Sequence, residues 1–390
     1  MCYFSGKPRH LPISTGPYMP GCTDVMLDYA QDGIFMRFFY PTEAKKDSNN
    51  YTKWAKWMPD DSYIVGLARV FMIFPFLIRF IFWWSDINLF PSLYGEKPKL
   101  DKKLRPIIIS HGLGAHRNFY SNLCCELASR GFLIVALEHR DNSAGNTYYY
   151  SSKINAGKDV KTLIDHKPIP LGKNHYRKRN EQVHKRAKEC SRALDVLISL
   201  HAGEKLYNVL DDTLLHKNIA FSLDLFGDKL DLNSVTMMGH SFGGASALLA
   251  LSQRKELRQG ILLDPWMFSI KDENLYEKIE QPLRFLNTQT FHLKSNVNIM
   301  EKFLDREHRD MCTILHTTHE HQTDTPLLIG SWLNWFMKKL NPEVALKINT
   351  ALVVKFLHEQ VEYPENIEEF DKILKDNSRN IEYGLTKPWA

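Results

Sequence analysis

The chain has 390 residues, 44% hydrophobic and 12% aromatic, enough to bury a large core in one big domain or two. Its 50 Lys and Arg against 45 Asp and Glu leave a formal charge of +5, too mild a balance to point to nucleic acid. Six cysteines, at positions 2, 22, 124, 125, 190 and 312, show no CxxC or metal-ligand spacing and call for no oxidising compartment.

The first ten residues hold no apolar run that would serve as a signal peptide, and position 2 is Cys rather than the Gly of a myristoylation site. A cytoplasmic, peripherally membrane-associated protein is the expectation. Thr23-Asp24-Val25-Met26-Leu27-Asp28 and Gly33-Ile34-Phe35-Met36-Arg37-Phe38-Phe39-Tyr40-Pro41 predict an opening antiparallel hairpin of edge strands, stopped by Pro41. Residues 65–84 are the most apolar stretch, interrupted only by Gly66, Arg69, Pro75 and Arg79. Its length suits a membrane span, but each arginine costs roughly 2.5–3.5 kcal/mol near the centre of a span and Pro75 kinks it. The composition predicts instead an aromatic helix in the bilayer interface or a lid over the core, two compatible roles. Val70, Phe71, Phe74, Phe82, Trp83 and Trp84 are the candidate membrane-interface residues, with Trp54 also near headgroup depth.

From residue 105 the pattern becomes strand, loop, helix, strand. Pro106-Ile107-Ile108-Ile109-Ser110 and Phe132-Leu133-Ile134-Val135-Ala136-Leu137 are unbroken apolar runs that predict buried parallel strands around a helix over 119–130. His139-Arg140-Asp141 falls at the carboxyl end of the second run, where open α/β sheets place their sites. The basic residues of 173–188 belong to a long predicted helix, 175–200, and read as its solvated face. Further strands are expected at 260–264, 283–287 and 311–316. Residues 325–340 and 342–374 read as helices, followed by a polar tail. The chain is taken as one domain over 1–390, with 54–90 as the interface or lid segment and 341–390 as a helical extension.

The chemistry centres on Gly239-His240-Ser241-Phe242-Gly243. It follows a short apolar run and precedes the helix formers of 245–251, the context in which Gly-x-Ser-x-Gly makes a sharp strand-to-helix corner carrying a serine nucleophile. In the α/β-hydrolase order of serine, acid and histidine, Asp264 ends the next apolar run as the acid; Asp272 and Asp310 have no strand before them. His292, His308, His316, His319, His321 and His358 all follow in order. His316 is read as still within its strand, and His319 and His321 lie in the loop beyond it, where chain order leaves both open. The oxyanion hole needs two backbone N–H groups: one from Phe242, the other from His111-Gly112-Leu113-Gly114, with Leu113 the expected donor. Serine chemistry of this kind needs no metal or other cofactor.

Gly239-His240-Ser241-Phe242-Gly243-Gly244, Leu263-Asp264-Pro265-Trp266-Met267-Phe268, Ser110-His111-Gly112-Leu113-Gly114-Ala115 and Leu137-Glu138-His139-Arg140-Asp141 resemble the platelet-activating factor acetylhydrolases of the plasma and intracellular type II group. Gly16-Pro17-Tyr18, Gly21-Cys22-Thr23-Asp24 and Arg179-Asn180-Glu181-Gln182-Val183 fit the same pattern, so the similarity runs from about residue 16 to about residue 340. The resemblance implies an α/β-hydrolase fold with a mostly parallel sheet, and a Ser241–Asp264–His319 triad. It favours His319 over His321 because the family's histidine precedes an Asp by five positions, as His319 precedes Asp324. It also implies calcium-independent release of a short or oxidised sn-2 acyl chain from a phospholipid at a membrane surface or lipid particle. A broader carboxylesterase or lipase and a catalytically silent lipid-binding protein are the alternatives. The sequence departs from the family in carrying Glu320 where Gln is usual, a carboxylate expected to raise the pKa of the neighbouring base, and in the apolarity of 65–84, which implies firmer membrane attachment.

Overall fold

A computed structural model describes residues 9–46, 51–85, 87–329 and 339–389. Cys2 and part of the helix expected over 325–340 lie outside them. The strands in chain order are β1 (Arg9–His10), β2 (Pro20–Leu27), β3 (Ile34–Pro41), β4 (Trp54–Lys56), β5 (Ile87–Tyr94), β6 (Arg105–Ser110), β7 (Phe132–Leu137), β8 (Asn146–Tyr149), β9 (Thr162–Asp165), β10 (Thr236–His240), β11 (Gln259–Leu263), β12 (Leu283–Thr288), β13 (Arg309–Ile314) and β14 (Ile381–Tyr383). Twelve of them make one sheet in the order β1-β5-β2-β3-β7-β6-β10-β11-β12-β13-β14, with β4 on β5. The pairs from β7 through β6, β10, β11 and β12 to β13 are all parallel.

The helices are α1 (Asp61–Phe71), α2 (Pro75–Ser85), α3 (Ser121–Ala128), α4 (Lys153–Gly157), α5 (His175–His201), α6 (Phe242–Gln253), α7 (Leu275–Lys278), α8 (Lys294–Met300), α9 (Thr325–Ile329), α10 (Pro342–Val361) and α11 (Glu368–Asp376). Because strand side chains alternate between faces, each face of the sheet gets its own helical layer. Ile108, Val135, Met237 and Phe285 meet Val183 and Leu194 of α5 and Leu248 of α6. Ile107, Ile134, Met238 and Leu286 meet Leu123 of α3, Leu352 of α10 and Phe370 of α11. Sheet order reverses at β6, whose crossovers lead to β7 on one side and β10 on the other. The crevice at the carboxyl ends of such a switch is where ligands bind in open α/β sheets.

Four expectations need correction. The β2–β3 hairpin is internal rather than at the edge: β5 pairs with β2 and β3 with β7, and every residue of the two strands is buried. β5 escapes sequence reading because Pro91 interrupts its apolar run. The stretch 65–84 is two helices, bent by 117°. Met72, in the left-handed region at φ 54, ends α1, and Pro75, which has no N–H to donate, opens α2. No single described helix is long and apolar enough to cross a membrane. The polar tail holds β14, antiparallel to β13, and β13 stops at Ile314, leaving His316 exposed in the turn beyond it.

Polar groups are buried close to the sheet's carboxyl edge. His111, His116, His139 and His240 are all enclosed, and burial, aided by nearby Arg186 or Arg117 or by His319, holds their pKa values well below the usual imidazole range. Burial pushes two carboxyls the other way, to about 7: Glu189, bonded to His139 Nδ1 at 2.5 Å, and Asp324. Asp324 caps α3 through Ser121 N at 2.7 Å and Asn122 N at 3.1 Å, and accepts Trp57 Nε1 at 2.9 Å.

Two predictions follow from this packing. Leu352→Ala, in a fully enclosed position of α10, is expected to cost about 2–5 kcal/mol within a single urea transition; a separate early transition would show that residues 341–390 are not part of the common core. On acidification through about pH 6.5 the unfolded chain protonates four histidines that the folded chain keeps neutral, whereas the two raised carboxyls take up protons in the folded state first. The histidines outnumber the carboxyls, so the unfolding free energy should fall between pH 7.5 and 5.5, by about 1.4 kcal/mol per pH unit for each net proton. Stability that is flat or rising over that interval contradicts the assignment.

Candidate active site

Ser241 is the single residue between β10 and α6, at φ 56 and ψ −118, a left-handed conformation that costs a non-glycine residue energy and is held by its surroundings. A Cβ on Gly239 would lie 2.2 Å from the Gly243 carbonyl oxygen, and one on Gly243 would lie 2.1 Å from that of Ser110. The main chains of β10, α6 and β6 therefore touch directly, and only glycine fits. Ser241 N donates to Leu263 O at 2.9 Å, and Trp266 N to Ser241 O at 2.9 Å, tying the corner to β11 and to the segment beyond it.

Asp264 follows β11 and is fully buried. Its Oδ1 accepts Thr288 N at 2.6 Å; its Oδ2 accepts Thr288 Oγ1 at 2.5 Å and His319 Nδ1–H at 3.0 Å. With Nδ1 carrying the proton, Nε2 of His319 is left as an acceptor. The imidazole is clamped between Phe291, stacked at 3.9 Å, and His240 at 4.4 Å between ring centres. Ser241 Oγ makes no hydrogen bond to His319 among the described residues, a contact that commonly tightens only with substrate. His240, Asp264 and His319 have ligand atoms within 4.8 Å of one another, but Asp264 is already taken by Thr288 and His319, and His240 Nδ1 by Tyr120 Oη at 2.9 Å. His240 Nε2 is buried without a partner, and an imidazole held by a carboxylate through Nδ1 is arranged for proton transfer at Nε2.

The other histidines are occupied elsewhere. His321 Nδ1 accepts Thr318 N at 3.1 Å and caps its own turn. His292 is buried against the chain's tail, with Nε2 on Thr386 O at 3.1 Å and its carbonyl accepting Trp389 N at 2.9 Å. His308 precedes β13, and His358 bonds Pro364 O from α10. Glu320 is exposed to solvent.

After β6, Gly112 lies against the elbow: a Cβ there would be 3.4 Å from Ser241 Cβ. Gly112 N donates to Tyr120 Oη at 2.9 Å and Gly114 N to Ser143 O at 2.8 Å. Among the described residues, neither Leu113 N nor Phe242 N has an acceptor. Phe242 N, next in the chain to Ser241, and Leu113 N, next to the Gly112 that lies against it, are thus both without an acceptor, as donors to an oxyanion must be. His111 joins this loop to β7, accepting His139 N on Nε2 at 3.2 Å and donating from Nδ1 to Gly112 O at 2.8 Å.

Sequence reasoning did not find Thr288, Phe291 or Tyr120, since they lie at a strand end, in the short turn after it and before a helix, with no motif around them. The residues assigned to the interface divide. Phe71, Phe74, Trp83 and Trp84 are 57–73% exposed. Val70 is half-buried with Cγ1 2.6 Å from where a Gly114 side chain would begin, and Phe82 stacks on Trp57 at 5.7 Å. Trp54 is no interface residue: it is buried in β4 beside His10 and Tyr51, because β4 folds back onto β5.

The model of the family "Platelet-activating factor acetylhydrolase, isoform II" matches residues 3–381. The platelet-activating factor acetylhydrolase of Bos taurus is 32% identical over 376 residues, covering 95% of this chain and 82% of the relative. That of Cavia porcellus is 33% identical over 383 residues, covering 97% and 84%. Among solved structures, a ferulic acid esterase from Streptomyces cinnamoneus superposes with a TM-score of 0.65 at 15% identity, over 97% of this chain and 99% of that one, which bears on the fold. With residues 3–381 of its 390 matched by the family's model, the chain belongs to the platelet-activating factor acetylhydrolase family and has the α/β-hydrolase fold.

Proposed function

We propose that the protein is a serine esterase that removes a short or oxidised sn-2 acyl chain from phospholipids, platelet-activating factor among them. The observation that supports this reading is the hydrogen bond of His319 Nδ1 to the buried Asp264, in the segments after β13 and β11, together with Ser241 at the strained corner after β10. The Ser241 hydroxyl attacks the ester carbonyl as His319 Nε2 takes its proton, and Asp264 steadies the imidazolium through Nδ1–H. Leu113 N and Phe242 N hold the oxyanion. The proton passes from His319 to the leaving lysophospholipid oxygen, and water then hydrolyses the acyl-serine by the same route in reverse. Acetate release from a 2-acetyl phosphatidylcholine, measured with chelator present, should fall at least about 10⁴-fold in Ser241→Ala. Activity retained in that variant defeats the reading, and rates that stay flat up to long sn-2 chains move it to a general lipase.

We further infer that α1 and α2 rest on a lipid surface. Their tips expose Phe71, Met72, Phe74, Phe76, Trp83 and Trp84, far more contiguous apolar surface than scattered exposed residues account for. Their arginines are paired, Arg79 with Asp61 at 2.6 Å and Arg69 with Asp165, which lowers the cost of nearing hydrocarbon. Val70 on Gly114 puts this surface next to the oxyanion loop, so a lipid leaving the bilayer has a short path to the serine. Each large apolar side chain withdrawn from water contributes about 1.5–3 kcal/mol, so Trp83→Ser with Trp84→Ser should weaken sedimentation with phosphatidylcholine vesicles at least about tenfold. Unchanged vesicle binding defeats the inference.

A further inference from the structure

The basic run of α5 contains two arginines that do not face water, Arg179 and Arg186. Arg186 is fully enclosed, whereas its neighbours Lys185 and Lys188 are exposed. Its Nη1 donates to His111 O at 2.5 Å, its Nε to Asp141 Oδ2 at 3.1 Å and Ser143 Oγ at 2.9 Å, and its Nη2 to Ser143 Oγ at 2.5 Å. The guanidinium carbon lies 4.7 Å from the centre of the Phe242 ring. Asp141, equally enclosed, accepts Ser143 Oγ and, at 3.1 Å, Ser143 N. Ser143 O in turn accepts Gly114 N at 2.8 Å.

These contacts converge on the oxyanion loop. His111 and Gly114 bracket Gly112 and Leu113, and both are fastened to the same Asp141–Ser143–Arg186 unit, one through its carbonyl and one through its N–H. Phe242, which supplies the other free N–H, rests its ring on the same guanidinium. A buried ion pair seldom adds stability over an apolar filling of equal volume. What a planar guanidinium adds is fixed direction, since its rigid fork can hold a carbonyl, a carboxylate and a hydroxyl at set angles.

We propose that Arg186, held by Asp141 and Ser143, is a positioning residue for the oxyanion hole, fixing the N–H groups of Leu113 and Phe242 relative to each other. It acts on acylation of Ser241 through those groups and does not touch substrate. The proposal rests on the reading of Leu113 and Phe242 as the oxyanion donors.

The test compares hydrolysis of 4-nitrophenyl acetate with that of its thionoester, O-4-nitrophenyl thionoacetate. Sulfur accepts hydrogen bonds poorly, so the oxo-to-thiono ratio of kcat/KM reports the hole itself and not general folding. Misplacing catalytic groups by about 1 Å costs on the order of 10²-fold, as does removing one oxyanion donor. Arg186→Lys is therefore expected to lower kcat on the ester by about 10- to 100-fold with KM little changed, and to move the ratio toward that of the uncatalysed reaction. Ser143→Ala should shift the ratio in the same direction by less, and it carries the test should Arg186→Lys fail to fold. A high wild-type ratio left unchanged in the folded variants overturns the role of Arg186 while leaving the hole in place. A wild-type ratio no higher than that of the uncatalysed reaction overturns the hole, and the proposal with it.

Discussion

The site depends on the contact of bare main chain with main chain where α6 starts. Gly243 stands so close to the Ser110 carbonyl that a methyl group would overlap it, and Gly239 meets Gly243 in the same way. No flexible side chain sets the distance from Ser241 to the loop after β6. It is fixed by the spacing of neighbouring strands, among the stiffest dimensions in a protein. The positive φ of Ser241 is sustained by the same packing, with hydrogen bonds to Leu263 and Trp266 closing the corner.

Around this contact the protein gathers groups that elsewhere would be costly to bury. Asp264 is satisfied by two donors of Thr288 as well as by His319, and Tyr120 joins the loop to the elbow by accepting from Gly112 N and donating to His240 Nδ1. Buried polar groups are tolerable when their bonds are made, and these bonds leave Asp264 and Tyr120 a single orientation. His240, kept neutral by burial, presents a flat wall to the His319 ring.

Much of this could be read from the sequence. The elbow is legible because its glycines are required by contacts at fixed offsets, and Asp264 because it ends an unbroken apolar run. His319 and His321 could not be separated by physics alone: both lie in one loop, and only the tertiary position of Asp264 distinguishes them, so family resemblance had to choose. The internal position of β2 and β3 was hidden because the strand that covers them, β5, is broken by Pro91. The three residues of β14 are too few to stand out in a polar tail. Arg186 was lost in its basic surroundings, although Val183, Arg186 and Cys190 share one buried stripe of α5, a helical spacing that marks the inward face.

The chain's tail bears on how the protein can be handled. Beyond β14 it runs back over His292, bonding that residue's ring through Thr386 and its carbonyl through Trp389. The next residue along, Phe291, is the stacking partner of His319. A purification handle or fluorescent fusion joined close beyond Trp389 would therefore pull, through His292 and Phe291, on the face of His319. An exposed loop far from the sheet's carboxyl edge is the safer point at which to tether or label this protein.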